Sequence, residues 1–133
     1  MNTKEEKRQT LYDNLCQFTG TTQYYSYPLL GIKGLLSDGI HYLLNITECY
    51  WLIDVILAHQ INPVISKHPE LKSLQFWRLN VNDDNSALLQ CEWDKDEIVE
   101  SQKIDYTSFP LDSITLYCSP TPEGYVIYLP SEY

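Results

Sequence analysis

Asp54 is the residue whose setting most directly suggests chemistry. It is the only charge between Glu48 and His59, inside an apolar run from Cys49 to Ala58. A carboxylate in such surroundings is costly unless it is paired or hydrogen-bonded. The same surroundings shift its pKa, which prepares an acid for proton transfer or ligand binding. On a helix, Tyr50 four residues before it and Trp51 three residues before it are surface neighbours. Tyr24, Tyr25, Tyr27 and Tyr42 crowd the same region, and tyrosine joins an apolar face to a polar tip, as pockets and interfaces require. Tyr24, Tyr25, Tyr50, Trp51 and Asp54 are therefore the ligand-binding candidates. The plainer alternative is a structural acid satisfied by a Tyr hydroxyl, Arg78 or a backbone N–H, among rings that pack a core.

The acids form the second group. The chain carries 18 Asp+Glu against 9 Lys+Arg, a net charge of −9 over 133 residues. Residues 1–67 hold six acids and five bases, whereas 68–133 hold twelve acids and four bases. Phosphate neutralisation needs the opposite balance, so direct nucleic-acid binding is disfavoured. A basic protein surface is the complementary partner. Asp83, Asp84, Glu92, Asp94, Asp96, Glu97 and Glu100 are the candidates for an acidic interaction face. A merely solvated sheet face is the alternative.

Other chemistry is poorly supported. His41, His59 and His68 lack metal-ligand spacing, and Asp83-Asp84-Asn85 does not match the calcium-loop pattern. Neither G-x-S-x-G nor a phosphate-binding G-x-x-x-x-G-K-[ST] occurs. Gly31-Ile32-Lys33-Gly34 matches the G-x-x-G of KH-type RNA binders, but its surroundings are not basic. No catalytic residue, metal or cofactor is expected.

Elements must position these residues. Leu11, Tyr12 and Leu15 predict a helix over 4–17, stopped near Gly20. Gln23 to Tyr27 is expected to be extended before Pro28, with Gly31 and Gly34 in a loop and Leu35-Leu36 a short strand. Ser37-Asp38-Gly39 offers a cap for a helix over 39–45. The apolar run predicts a second helix over 48–60, buried on most sides and central to the core, ended by Asn62-Pro63. After Leu74 the period becomes two. Strands are expected at 75–81, 87–93, 98–106, 113–118 and 125–129, joined by short polar turns. The class is α+β, with N-terminal helices (1–74) packed on a C-terminal antiparallel meander of about five strands (75–133) in one domain, 1–133.

Compartment follows from what the chain lacks. Its start is charged without the apolar run of a signal peptide, and its longest apolar run is far short of a membrane span. Cys16, Cys49, Cys91 and Cys118 form no C-x-x-C and are expected to be reduced thiols in a cytoplasmic protein.

Several phrases, taken in order, resemble an uncharacterised bacterial family of unknown function often carried on mobile elements. They are Phe18-Thr19-Gly20-Thr21 with Tyr24-Tyr25, Asp38-Gly39 with Tyr42, and Tyr50-Trp51-Leu52-Ile53-Asp54-Val55-Ile56. Trp77 with Leu79, Tyr106-Thr107-Ser108-Phe109-Pro110-Leu111 and Leu129-Pro130-Ser131-Glu132-Tyr133 complete the set, which spans about 11–133. The chain departs from the pattern at Ser108, usually Asp, and at Cys49, usually Ala. The resemblance implies a shared compact domain and, by its mobile-element association, a host–element conflict or maintenance role; it supplies no activity or site.

Three functions follow as expectations. The first is a non-enzymatic interaction module that binds a basic protein through the acidic C-terminal half, in the manner of an anti-CRISPR inhibitor. The second is a small enzyme or ligand-binding domain centred on Asp54. The third is a homodimer in which Tyr125 to Leu129 pairs across an edge.

Overall fold

A computed structural model describes residues 3–133. Met1 and Asn2, with which the expected domain begins, lie outside the described residues. Helix α1 spans Lys4–Asn14 and is capped by Thr3, whose side chain accepts from the Glu6 N–H. It ends in a 3-10 turn, Leu15–Gln17, short of the continuous helix expected to 17. Leu11 is its one buried residue, and Arg8 pairs with Asp112 at 3.0 Å.

The next segment corrects the expected loop. Tyr25–Leu29 (β1) and Ile32–Leu36 (β2) form an antiparallel hairpin whose tight turn uses positive φ at Leu30 and Gly31. The extended stretch expected before Pro28 continues through it to Leu29. The proline is tolerated because β1 is the outermost strand, where a missing N–H costs least.

Helices α2 (Asp38–Thr47) and α3 (Tyr50–His59) follow, separated by Glu48 in a left-handed conformation. α3 buries one stripe, Leu52, Ile53, Ile56 and Leu57, while Tyr50 and Ala58 are exposed. The helix is therefore covered on one side and not on most sides. The stripe supplies roughly 1.5–3 kcal/mol per fully buried side chain. Its Leu57 methyl comes so close to β2 that a Cβ on Gly34 would lie 2.9 Å from it. A short α4, Pro63–Ser66, begins at an Asn62 cap, and a 3-10 turn over Pro69–Lys72 leads into the remaining strands.

Those strands are β3 (Gln75–Val81), β4 (Ala87–Glu92), β5 (Ile98–Ile104), β6 (Ser113–Thr121) and β7 (Gly124–Tyr128). All seven strands make one sheet in the order β1-β2-β7-β6-β3-β4-β5. Two points overturn the five-stranded meander. The N-terminal hairpin joins the sheet, and β2 pairs with β7 in parallel, Gly34 opposite Tyr125. β7 is consequently an interior strand flanked by β2 and β6, so it offers no free edge for pairing across a dimer. β6 also runs through Pro120, since beyond Cys118 it pairs only with β7.

Strand alternation gives the sheet two faces. Leu36, Ile127, Cys118, Trp77, Leu79 and Leu89 turn toward the helices and form the core. Gln60 and Gln75 are buried there and exchange amide hydrogen bonds of 2.8 and 2.9 Å, and Trp77 Nε1 donates to Gln75. The opposite face carries no α-helix; a C-terminal 3-10 turn, Pro130–Glu132, contacts β6 and brings Tyr133 onto it. Four free cysteines complete the picture, three buried and Cys16 exposed. Burial raises the Cys49 thiol to about 11 and the Cys91 thiol to about 12, and pushes Cys118 up as well.

Candidate functional site

Asp54 is half-buried on α3, and its Oδ1 accepts a 2.8 Å hydrogen bond from the Tyr27 hydroxyl on β1. Tyr50, one turn back, stacks on Tyr27 with ring centroids 6.4 Å apart. Burial first, and then the bond to Asp54, raise the Tyr27 phenol to about 12. Tyr27 thus keeps its proton near neutrality and directs it at the carboxylate. The other expected members do not join them. Tyr25 stacks on His41 at 3.8 Å, Trp51 packs against the core, and Tyr24 turns to the other side of the sheet. Tyr27 was absent from the expected set, yet it lies two residues from Tyr25. Period-two alternation puts those two on the helix-bearing side and Tyr24 on the reverse.

The acids are likewise divided. Asp83 and Asp84 are exposed in the β3–β4 turn, where bonds from the Ser86 hydroxyl and backbone hold Asp84 below its ordinary value. Asp94, Asp96 and Glu97 are exposed in the β4–β5 turn, at the opposite end of β4, about 20 Å away along a strand of that length. Glu100 faces the helices and accepts from Asn62. Glu92 lies on the helix-free face but is buried. The seven residues therefore do not share one face.

The helix-free face carries a connected row of aromatics. Phe76 meets Tyr117 edge-on at 4.9 Å, and Tyr117 meets Tyr128 at 5.7 Å and Tyr133 at 5.9 Å. Tyr133 is held there by its neighbour Glu132. One Glu132 oxygen accepts from the Ser37 hydroxyl (2.6 Å) and the Leu129 N–H (2.9 Å), and the other from the Gly39 N–H (3.1 Å). A carboxylate at the start of α2 is stabilised by the free N–H groups and dipole of the helix. Thr22 adds a second tie: its N–H and hydroxyl bond Asp38, which draws that carboxyl below its ordinary value. Gly39 leaves the room, since a Cβ there would lie 2.5 Å from a Leu129 methyl and 2.6 Å from Glu132.

Two clefts flank the aromatic row. One, of about 350 Å³, lies between Tyr24 and Tyr133, with Val126 and the Ser119–Tyr128 hydroxyl pair among its lining groups. The other, of about 400 Å³, lies over Phe76, Arg78 and Glu92. Sequence reasoning placed Glu92 among surface acids, offered Arg78 only as a partner for Asp54, and gave Tyr117 no role; the period-two pattern of β3, β4 and β6 carried the signal that Phe76, Arg78 and Tyr117 lie on a common face. Among the described residues no three His, Cys, Asp or Glu side chains converge to hold a metal, and no helix is long and apolar enough to cross a membrane.

Fold and clefts together define an α+β domain of one mixed sheet, helices on one side and an aromatic, cleft-bearing face on the other. The chain belongs to the Family of unknown function (DUF6876), whose model matches residues 9–133. No curated protein and no solved structure matches it.

Proposed function

We propose that this protein is a non-enzymatic interaction module that binds a basic protein surface. The observation that carries the reading is the β4–β5 turn. Asp94, Asp96 and Glu97 are all exposed there, with Lys95 as their one basic neighbour in the turn. A tight turn fixes the backbone of three carboxylates, so a basic partner meets a preformed anionic point at little ordering cost. The Asp83–Asp84 turn at the other end of β4 is a second anionic point, so a partner touching both would be a long basic groove. In its finer form the reading is an inhibitor that occupies the nucleic-acid groove of a host-defence protein, as an anti-CRISPR protein does.

Affinity capture from host cells, with partner identification by mass spectrometry at two salt concentrations, tests this. The expected partner is basic and is lost as salt rises across a few hundred millimolar, where exposed charges are screened. Asp94→Asn, Asp96→Asn and Glu97→Gln together should weaken it at least about tenfold, and slow association more than they speed release. Binding that ignores both salt and this triple variant would refute the reading.

A further inference from the structure

The helix-free face holds one arrangement centred on Glu92, apart from the Asp54 group and bordered by Asp94 and Lys95 of the acidic β4–β5 turn. Glu92 stands at a β-bulge, where the β4–β5 register shifts between Cys91 and Glu92. Its cross-strand partner on β3 is Phe76. Although it lies on the side that has no helices, its side chain is only 2% exposed. One oxygen, Oε1, is 3.5 Å from Arg78 Nη1. The other, Oε2, is closed off from solvent and has no hydrogen-bond partner among the described residues. Buried carboxylate oxygens are normally satisfied, and an orphan one marks a place where a donor belongs.

The cleft beside it, about 400 Å³, is within the size range of small-molecule sites. Phe76 and Tyr117 supply an apolar wall, in edge contact at 4.9 Å. Two carboxylates, Glu92 and Asp94, and two cations, Arg78 and Lys95, also line it, with Thr115 and Pro130. The charges cancel in sum, with Arg78 held 3.5 Å from Glu92. A purely cationic ligand would meet Arg78 and Lys95, and a purely anionic one would meet Glu92 and Asp94. A ligand bearing both charges satisfies all four.

We propose that this cleft binds a free α-amino acid with an apolar or aromatic side chain. Its ammonium donates to the Glu92 carboxylate in place of Arg78, its carboxylate accepts from Arg78 with Lys95 nearby, and its side chain lies against Phe76 and Tyr117. Access to the carboxylate comes from Arg78, which lies against its Oε1. That side chain is 41% exposed and its contact with Glu92 is long, so it can swing onto the ligand carboxylate as the ammonium takes its place. Guanidinium and ammonium exchange at one carboxylate, and no buried charge is left unpaired.

L-Phenylalanine is the probe, followed through the backbone amide resonances of Phe76, Thr115 and Tyr117. Saturable shifts are expected with a dissociation constant on the order of 1 mM, a few kcal/mol of binding for a small ligand. Phenethylamine, which lacks the carboxylate, and 3-phenylpropionate, which lacks the ammonium, should each bind about tenfold more weakly, the usual worth of one charge-assisted hydrogen bond. Glu92→Gln should weaken L-phenylalanine about tenfold and leave 3-phenylpropionate unchanged, while Arg78→Met should do the same with phenethylamine as the unchanged ligand. A thermal melt of each variant establishes that it is folded, and should Glu92→Gln fail to fold, Arg78→Met carries the comparison alone. The absence of saturable shifts at millimolar L-phenylalanine, or 3-phenylpropionate binding as tightly as the amino acid, overturns the assignment. So does affinity for L-phenylalanine that the folded variants leave unchanged.

Discussion

The Tyr27–Asp54 pair shows how one hydrogen bond decides what a carboxylate can do. The Tyr27 hydroxyl occupies Oδ1 of Asp54 at 2.8 Å, leaving Oδ2 as the acceptor for any other group. The raised phenol pKa has a signed consequence for stability. Tyr27 titrates near 10 when unfolded and near 12 when folded, so the folded state favours the protonated form. Its contribution is complete below pH 10 and is lost as pH rises through 12. Tyr27→Phe should therefore flatten the alkaline loss of stability over that window, as measured by denaturant melts at a series of pH values. Asp54→Asn should bring the Tyr27 phenol down toward its ordinary value but not all the way, because burial is the larger cause and remains; ultraviolet titration of the tyrosines reads this directly. At this scale the sequence was informative about kind and not about identity. A Tyr hydroxyl was a foreseeable partner for Asp54, but the helical neighbour Tyr50 stacks on the true donor instead of making the bond.

Elements are held in place here by residues far from them in sequence. The Ser37 cap of α2 follows from Ser37-Asp38-Gly39 alone, and the structure has Ser37 Oγ accepting from the Ile40 N–H at 3.2 Å. What the local signal could not contain is Glu132, which reaches the same helix end from 93 residues beyond Gly39. The terminal phrase and the Asp38-Gly39 phrase are thus two halves of one joint, and Gly39 is the position where the joint has no spare space. Gly39→Ala should cost roughly 1–3 kcal/mol, the usual penalty for overpacking, since a methyl group there must displace Leu129 and Glu132. Chemical denaturation measures that loss. Loosening of Tyr133 should accompany it, visible as averaged ring resonances. The β1–β2 hairpin was legible only in part, as an extended 23–27 and a short strand at Leu35-Leu36, for a related reason. Pro28 and two glycines describe a loop locally, and only the position of β1 at the sheet edge makes them compatible with a strand.

At the scale of the whole molecule, the division into a helical half and a strand half holds for composition and fails for folding. The charge divides as the sequence suggests, with most of the acids after residue 67. The sheet does not divide there, because β2 from the first half lies against β7 from the second, with Leu35 opposite Val126 and Leu36 opposite Ile127. Hydrophobic periodicity carries no information about such a pairing, since a buried strand looks the same whether its neighbour is ten residues away or ninety. The consequence is that neither half has a core of its own. Separated at Leu74, residues 75–133 would retain β3 to β7 but expose the side that α3 covers, including Trp77, Leu79, Leu89 and Leu116, all at most 1% exposed in the intact fold. A contiguous apolar patch of that kind favours association over solubility. Residues 1–74 would keep the β1–β2 hairpin against which α3 packs but lose the five strands that complete the sheet, and short amphipathic helices are marginal without such packing. Each fragment alone should therefore show poorly dispersed amide resonances and no cooperative melt. Mixed or co-expressed, the two should recover a single cooperative transition, because the β2–β7 seam and the Glu132 joint both form between chains. A fragment 75–133 that folds cooperatively by itself would show that the strand meander is an independent unit, with the N-terminal hairpin and helices added to it.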